Sequence, residues 1–236
     1  MKNVIIFGAS GHGSVVLDCL EKEQKYNVIG FIDSLKKKGT KQNGYEILGN
    51  HFDLLHAIEK FNITAGIVAI GDNWTRKLVV DRVRKIAPDF RFISAVHPKA
   101  SLGKNVVIGS GTVIMPGVII NANSVVGDFC FLNTNSSLDH DGRMNDFSSL
   151  APGVITGGNF VLGKYSAVSL GSNIIENISI GSHTVIGAGS LVIMDIPNYV
   201  MAHGAPANIV RKRKQGEKYL TGAKRTSSRA YISNYL

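Results

Sequence analysis

Asp139-His140-Asp141 sets one imidazole between two carboxylates. A nearby carboxylate stabilises the imidazolium and raises the basicity of the ring. A histidine so placed suits proton removal near neutral pH. Either Asp139 or Asp141 can supply the carboxylate, and the spacing does not choose between them. A second group lies at the start of the chain. Gly8-Ala9-Ser10-Gly11-His12-Gly13 follows the apolar run Asn3 to Phe7 and leads into a helical pattern through Val15, Val16, Leu17 and Leu20. A glycine-rich turn feeding a helix N-terminus offers N–H groups and a positive dipole end to an anion. Its G-x-x-G-x-G spacing departs from the dinucleotide pattern, so a nucleotide-diphosphate site is expected instead. Asp33, about twenty residues beyond the turn, can accept hydrogen bonds from a ribose or a base. Cys19 and Cys130 give no disulfide or zinc spacing. Neither adjoins His140, so no covalent intermediate on sulfur is required.

The element that must position His140 is a repeat. From Leu102 to Val192 the chain runs in hexads, with an aliphatic residue leading every one except that of Thr156. Four residues after each lead comes a mostly small or β-branched residue, with Phe160 the exception. A fixed short period of this kind predicts a parallel β-solenoid, with one inward side chain per hexad and each coil burying its core on the next. Three hexads per triangular coil give about five coils. His140 stands two residues past the lead Leu138, so it belongs to a turn and not to the core.

Residues 1–95 read as a small open α/β domain with a mostly parallel sheet. Strands are expected at 3–7, 27–32, 65–70 and 90–95. Helices are expected after the glycine turn, over 52–61 and over 76–86, with a loop at 35–44. Ligands of such sheets bind beyond the carboxyl ends of the strands. That places Ser10, Gly11, His12, Asp33, Ser34 and Gly71 around one crevice. The chain divides into 1–95, a solenoid over 96–207, and a basic tail over 208–236.

The formal charge of +9 sits partly in that tail, at Arg211, Lys212, Arg213, Lys214, Lys218, Lys224 and Arg225. No nucleic-acid motif and no basic stripe with interleaved aromatics accompanies it, so nucleic acid is not an expected partner. Phosphorylated small molecules are, with residues 211–214 a candidate phosphate contact. No apolar run reaches membrane-spanning length, and the apolar opening is too short for a signal peptide. A cytoplasmic location is therefore expected. No metal is expected: a zinc site needs converging ligands, and the repeat offers only His140 and His183, far apart.

Three pieces coincide: the G-A-S-G-H-G turn, the hexad run, and the exit Ala202-His203-Gly204-Ala205-Pro206-Ala207. Together they resemble the bacterial N-acetyltransferases of nucleotide-linked 4-amino-4,6-dideoxy sugars and the related sialic acid O-acetyltransferases, over roughly residues 1–210. The resemblance implies a Rossmann-like N-terminal domain joined to a left-handed β-helix. It implies acetyl-CoA as donor, a homotrimer with active sites between solenoids, and a role in surface glycan synthesis. By position, Ser10, Gly11, His12, Asp33, Ser34 and Gly71 would contact the nucleotide-sugar. Asn133-Thr134-Asn135-Ser136-Ser137-Leu138-Asp139-His140-Asp141 is similar to the family's catalytic run, with His140 as general base and Asp141 beside it. Ser149 stands where the family often has a second His assisting the acetyl carbonyl; a hydroxyl there can donate to a thioester oxygen. Gly142-Arg143 follows Asp141 where a Cys is common. Acetyl-CoA contacts would include Leu170 and Ala188. An O-acetyltransferase on a sialic-acid-type sugar and a non-catalytic nucleotide-sugar binding or assembly protein are the alternatives.

Overall fold

The computed structural model describes residues 1–220. The chain opens with β1 (Lys2–Phe7), α1 (Gly11–Glu23), β2 (Tyr26–Ile32), β3 (Lys41–Gln42) and β4 (Tyr45–Gly49). It continues with α2 (Leu54–Lys60), β5 (Ala65–Val68), α3 (Asn73–Ile86) and β6 (Arg91–Phe92). The sheet order is β3-β4-β2-β1-β5-β6, parallel throughout except for β3 on β4. Val4, Ile5, Ile6 and Phe7 are all buried, as a strand covered on both faces requires. The glycine turn has two positions that only glycine fits. Gly8 has φ +106°, and a Cβ on Gly13 would strike the Gly8 carbonyl. Gly11 faces open space.

Two elements differ from expectation. The segment read as a loop, 35–44, contains β3, and the residues after it, given no element, form β4, whose Ile47 and Leu48 are buried beside β2. The strand expected at 90–95 is divided between two sheets. Ile93 N–H donates to Gly66 in the first sheet, whereas Ala95 N–H donates to Thr112 in the solenoid. Ser94 makes the transfer, donating to the Gly109 carbonyl at 2.7 Å and accepting from Thr112 N–H at 3.2 Å.

The solenoid has three parallel faces, formed by strands of two residues that recur every third hexad. The first face runs from Ala95–Val96 through Phe131–Leu132 and Ser149–Leu150 to Val185–Ile186. The second runs from Ser101–Leu102 through Ser137–Leu138 and Ile155–Thr156 to Leu191–Val192. The third runs from Val107–Ile108 through Arg143–Met144 to Ser179–Ile180. Every hexad lead from Ile114 to Val192 is buried, while Leu102, in the first coil, is exposed. Each aliphatic lead removed from water contributes about 1.5–3 kcal/mol. Several of the buried hydroxyls close backbone bonds between coils: Ser124 Oγ donates to the Asp139 carbonyl at 2.7 Å and accepts from Gly142 N–H at 3.1 Å.

The corners carry ladders. At the corner between the second and third faces, Asn105, Asn123, Asp141, Asn159 and Asn177 all adopt φ near +60°, a conformation that Asn and Asp tolerate best among non-glycine residues. At the corner between the third and first faces, Phe129, Phe147, Tyr165, His183 and Tyr199 stack at 4.7–5.5 Å. Trp74 and Phe92 of the α/β domain pack edge-on against this column. His183 is thus a member of the column, and burial lowers its pKa.

The exit adds two strands to the first face: Val200–Gly204 beside Val185–Ile186, then Ala207–Lys212 antiparallel to it. The basic tail therefore begins as a strand, and residues 213–220 then cross back to the α/β domain. Lys224, Arg225, Tyr231 and Tyr235 lie outside the described residues. No helix among the described residues is long and apolar enough to cross a membrane.

Candidate active site

His140 occupies the corner between the second and third faces, with its side chain about half exposed (55%). Its Nδ1 lies 2.8 Å from Asp141 Oδ2. Asp141 stands on a rung where the other coils have asparagine, and Asn123 Nδ2 donates to its second oxygen at 3.3 Å. The same left-handed turn that suits asparagine thus presents a carboxylate to the ring at this coil alone. Asp139 does different work. Its Oδ1 accepts the His140 backbone N–H at 2.7 Å and Asn121 Nδ2 at 2.5 Å. Asp139 fixes the turn, and Asp141 orients the imidazole. Thr156, the one polar lead, accepts Asp139 N–H at 3.2 Å and donates to the Ser137 carbonyl at 3.3 Å. Gly158 in the next coil lies flat beneath the ring, and a Cβ there would collide with it.

A carboxylate at Nδ1 selects the tautomer with the proton on Nδ1, leaving Nε2 as the basic atom. The hydrogen bond to Asp141 and the charge of Asp139 raise the His140 pKa above the ordinary histidine value. Only neutral imidazole can take a proton, so a reaction using this base slows as pH falls through that raised pKa. Asp141→Asn keeps an acceptor for Nδ1–H but removes the charge. It is expected to move the rising limb of the kcat–pH profile to lower pH and to lower the plateau by roughly tenfold. An unshifted limb in the variant would assign that limb to another group.

The principal cavity, about 660 Å³, lies between the α/β domain and the first face of the solenoid. It brings together His12, Gly71, Ser149, Leu170 and Ala188. His12 packs 4.3 Å from the Phe131 ring. Burial, reinforced by the Arg76 cation, pushes its pKa down to about 4, so the ring is neutral. A second cavity of about 330 Å³ holds Asp33 and Ser34 with Gly8, Thr75 and Arg82. The single crevice expected from the sequence is therefore two, and Ser10 and Gly11 are exposed at the start of α1, outside both. Asp33 Oδ2 accepts Ala9 N–H at 2.7 Å, and Oδ1 accepts Leu35 and Lys36 N–H at 2.8 and 3.0 Å. Burial opposes its ionisation, but these three donors and Lys36 outweigh that and hold the pKa below the usual carboxylate value. Asp33 fastens the glycine turn to the end of β2.

His140 does not line the principal cavity of its own chain. That cavity reaches the corner between the first and second faces through Leu170 and Ala188, whereas His140 is at the opposite edge of the second face.

The sequence did not single out Arg76 or Tyr219. Arg76 is fully buried, donating to the carbonyls of Ile70, Gly71 and Phe129 and to Asn73 Oδ1 at 2.6–3.1 Å. It ties the carboxyl end of β5 to the solenoid, with its guanidinium 4.9 Å from the centre of the Phe131 ring, which lines the cavity. Arg211 and Arg213 line the cavity, but both pair with Glu217, at 2.6 and 3.7 Å, which reduces their charge as a phosphate contact. Cys130 and Cys19 are buried thiols, pushed up by that burial to about 11 and about 12. Neither supplies a thiolate near neutral pH. Among the described residues no group of three or more His, Cys, Asp or Glu could hold a metal ion.

Comparison with known proteins agrees with this architecture. Residues 3–83 match the family model of the PglD N-terminal domain, and residues 99–134 match that of the bacterial transferase hexapeptide (six repeats). GDP-perosamine N-acetyltransferase of Escherichia coli O157:H7 is 28% identical over 191 residues, covering 78% of this chain and 82% of that protein. PerB from Caulobacter crescentus, solved with CoA and GDP-perosamine, is 31% identical with a TM-score of 0.82, covering 89% of this chain and 97% of that one. Variants of that enzyme with one histidine replaced by alanine or asparagine superpose equally well. The acetyltransferase domain of PglB from Neisseria gonorrhoeae FA1090, solved with acetyl coenzyme A, is 28% identical with a TM-score of 0.81, covering 89% and 99%. With a PglD-type domain leading into a left-handed hexapeptide β-helix, the chain belongs to the family of bacterial nucleotide-amino-sugar N-acetyltransferases.

Proposed function

We propose that this acetyltransferase moves the acetyl group of acetyl-CoA to the 4-amino group of a nucleotide-linked 4-amino-4,6-dideoxy sugar, with His140 as general base. The observation that carries the assignment is the His140–Asp141 pair, a half-exposed imidazole with its Nδ1 held by a carboxylate. The amine must attack as the free base. As its nitrogen bonds to the thioester carbon, His140 Nε2 takes the proton that nitrogen loses. The tetrahedral oxyanion then collapses, the C–S bond breaks, and the imidazolium returns the proton to the departing CoA sulfur. No group on the protein is acetylated, in keeping with two cysteines held as neutral thiols.

The base must reach a cavity that its own chain holds at a distance, and a closed trimer supplies the approach. Ile119, Ile155 and Leu191 project from the second face with exposures of 46, 54 and 38%. Turning that face to a threefold axis covers these side chains. It also sets the edge bearing Leu170 and Ala188 in one protomer against the His140 edge of the next, a heterologous contact that closes into a ring. The α/β domain then holds the nucleotide, with His12 and Gly71 at the cavity and Asp33 and Ser34 at the neighbouring one, and Leu170 and Ala188 line the path of CoA. We place the enzyme in the cytoplasm, in surface glycan synthesis.

The test is turnover. Incubation with acetyl-CoA and GDP-, UDP- or dTDP-linked 4-amino-4,6-dideoxy sugars should release CoA and yield a product one acetyl group heavier with at least one of them. Release of CoA with none, alongside acetylation of a sugar hydroxyl, would replace the amine assignment.

A further inference from the structure

Residues 213–220 form a strap from the last strand of the solenoid to the α/β domain. Arg213 Nε donates to the His183 carbonyl at 3.3 Å. Glu217 pairs with Arg211 and Arg213 and accepts the Lys214 N–H at 3.0 Å. Gly216 (φ +73°) lies against the Trp74 indole, where a Cβ would come within 2.7 Å of Nε1. These contacts deliver Tyr219 into the principal cavity. Its hydroxyl lies 3.2 Å from the Gly71 carbonyl and 3.2 Å from Ser149 Oγ.

The protons of this chain can be counted. A carbonyl oxygen only accepts, so two oxygens 3.2 Å apart at Gly71 and Tyr219 are held together by the phenol's single proton. Burial raises the Tyr219 pKa, so that proton is retained. The phenol oxygen can then only accept from Ser149, and the hydroxyl hydrogen of Ser149 is directed to Tyr219. What Ser149 turns toward the cavity is lone pairs.

We infer that Ser149 acts on bound substrate as a hydrogen-bond acceptor, set in that polarity by Tyr219, and receives an N–H either from the sugar amine or from an amide of the CoA arm. This rests on the acetyl-transfer reading and revises one part of it: Ser149 does not donate to the thioester oxygen. Tyr219 is a positioning residue that acts through Ser149. An acceptor facing the reacting nitrogen also favours the orientation in which a lone pair of that nitrogen points at the thioester carbon.

The experiment measures binding and turnover separately, in wild type, Ser149→Ala, Tyr219→Phe and the double variant. Titration calorimetry gives Kd for CoA and for a GDP-linked 4-amino-4,6-dideoxy sugar, and thermal midpoints establish that the variants fold. Either single change is expected to weaken one of the two ligands by about five- to tenfold, the loss of one hydrogen bond. The double variant should be no worse than either single one, because both remove the same contact. Weakening of the sugar identifies the amine as donor, and weakening of CoA identifies the amide. Unchanged Kd values in Ser149→Ala with a lower kcat would overturn the inference, since a donor to the developing oxyanion acts on the rate alone. So would losses that add in the double variant. A wild-type chain that binds both ligands without releasing CoA from acetyl-CoA would instead refute the transfer reading.

Discussion

Replacing His140 by alanine is expected to lower kcat by about 10²–10⁴-fold, the range for removal of a positioned general base. The KM for acetyl-CoA should stay within about twofold, because the cavity that would hold the donor is built from other side chains. Folding should be unaffected. The ring is half exposed at a corner, it fills no part of the aliphatic column, and the turn beneath it is held by Asp139 and Asn121. His140→Asn should be as slow as alanine, since an amide has no basic nitrogen at neutral pH. The measurement is steady-state CoA release at saturating acceptor, with melting temperature as control. Residual kcat within about threefold of wild type, for a folded variant, would remove His140 from the reaction and leave Asp141 without a purpose at its rung.

The hexads were legible because each coil repeats one instruction: an aliphatic side chain inward, a small residue at the corner, a turn. Such a pattern is local, and the faces of the solenoid follow it from Ile114 to Val192. The apolar runs of the parallel sheet were legible for the same reason. β4 was missed because five residues following a polar loop carry too little period to mark a strand. At the site, the local part was again readable. His140 stands at a turn because it follows a lead by two residues. The choice between Asp139 and Asp141 depends on backbone geometry instead: a left-handed rung points Asp141 at the ring and leaves Asp139 to cap the turn. Arg76 and Tyr219 were out of reach because their partners are distant in the chain. Arg76 bonds to Phe129, and Tyr219 to Ser149 and Gly71. In a list of residues Arg76 is one more charge on a helix; only its burial among carbonyls marks it as a strut. The split crevice is of the same kind, since Asp33 is occupied by two N–H donors of its own loop and one of the glycine turn.

The second large effect concerns where the base comes from. If His140 serves the cavity of a neighbouring protomer, two inactive chains should repair one another. One parent is His140→Ala, which keeps its cavity. The other is Ala188→Trp, an exposed cavity position where an indole blocks the groove but leaves His140 in place. Each parent alone should form trimers with every site defective. Co-expression with two affinity tags and purification through both selects mixed trimers. In any mixed ring, whichever parent is doubled, one boundary of the three joins a competent His140 to an open cavity. Turnover should therefore return to about a third of wild type per trimer, against a background at least 10²-fold lower for the parents. Had base and cavity belonged to the same chain, no mixing could restore a site, and the mixed trimers would be as inactive as their parents. The exposed aliphatics of the second face give the control. Ile155→Asp on either parent should prevent assembly by burying a charge at the contact, and the recovered activity should vanish with the trimer.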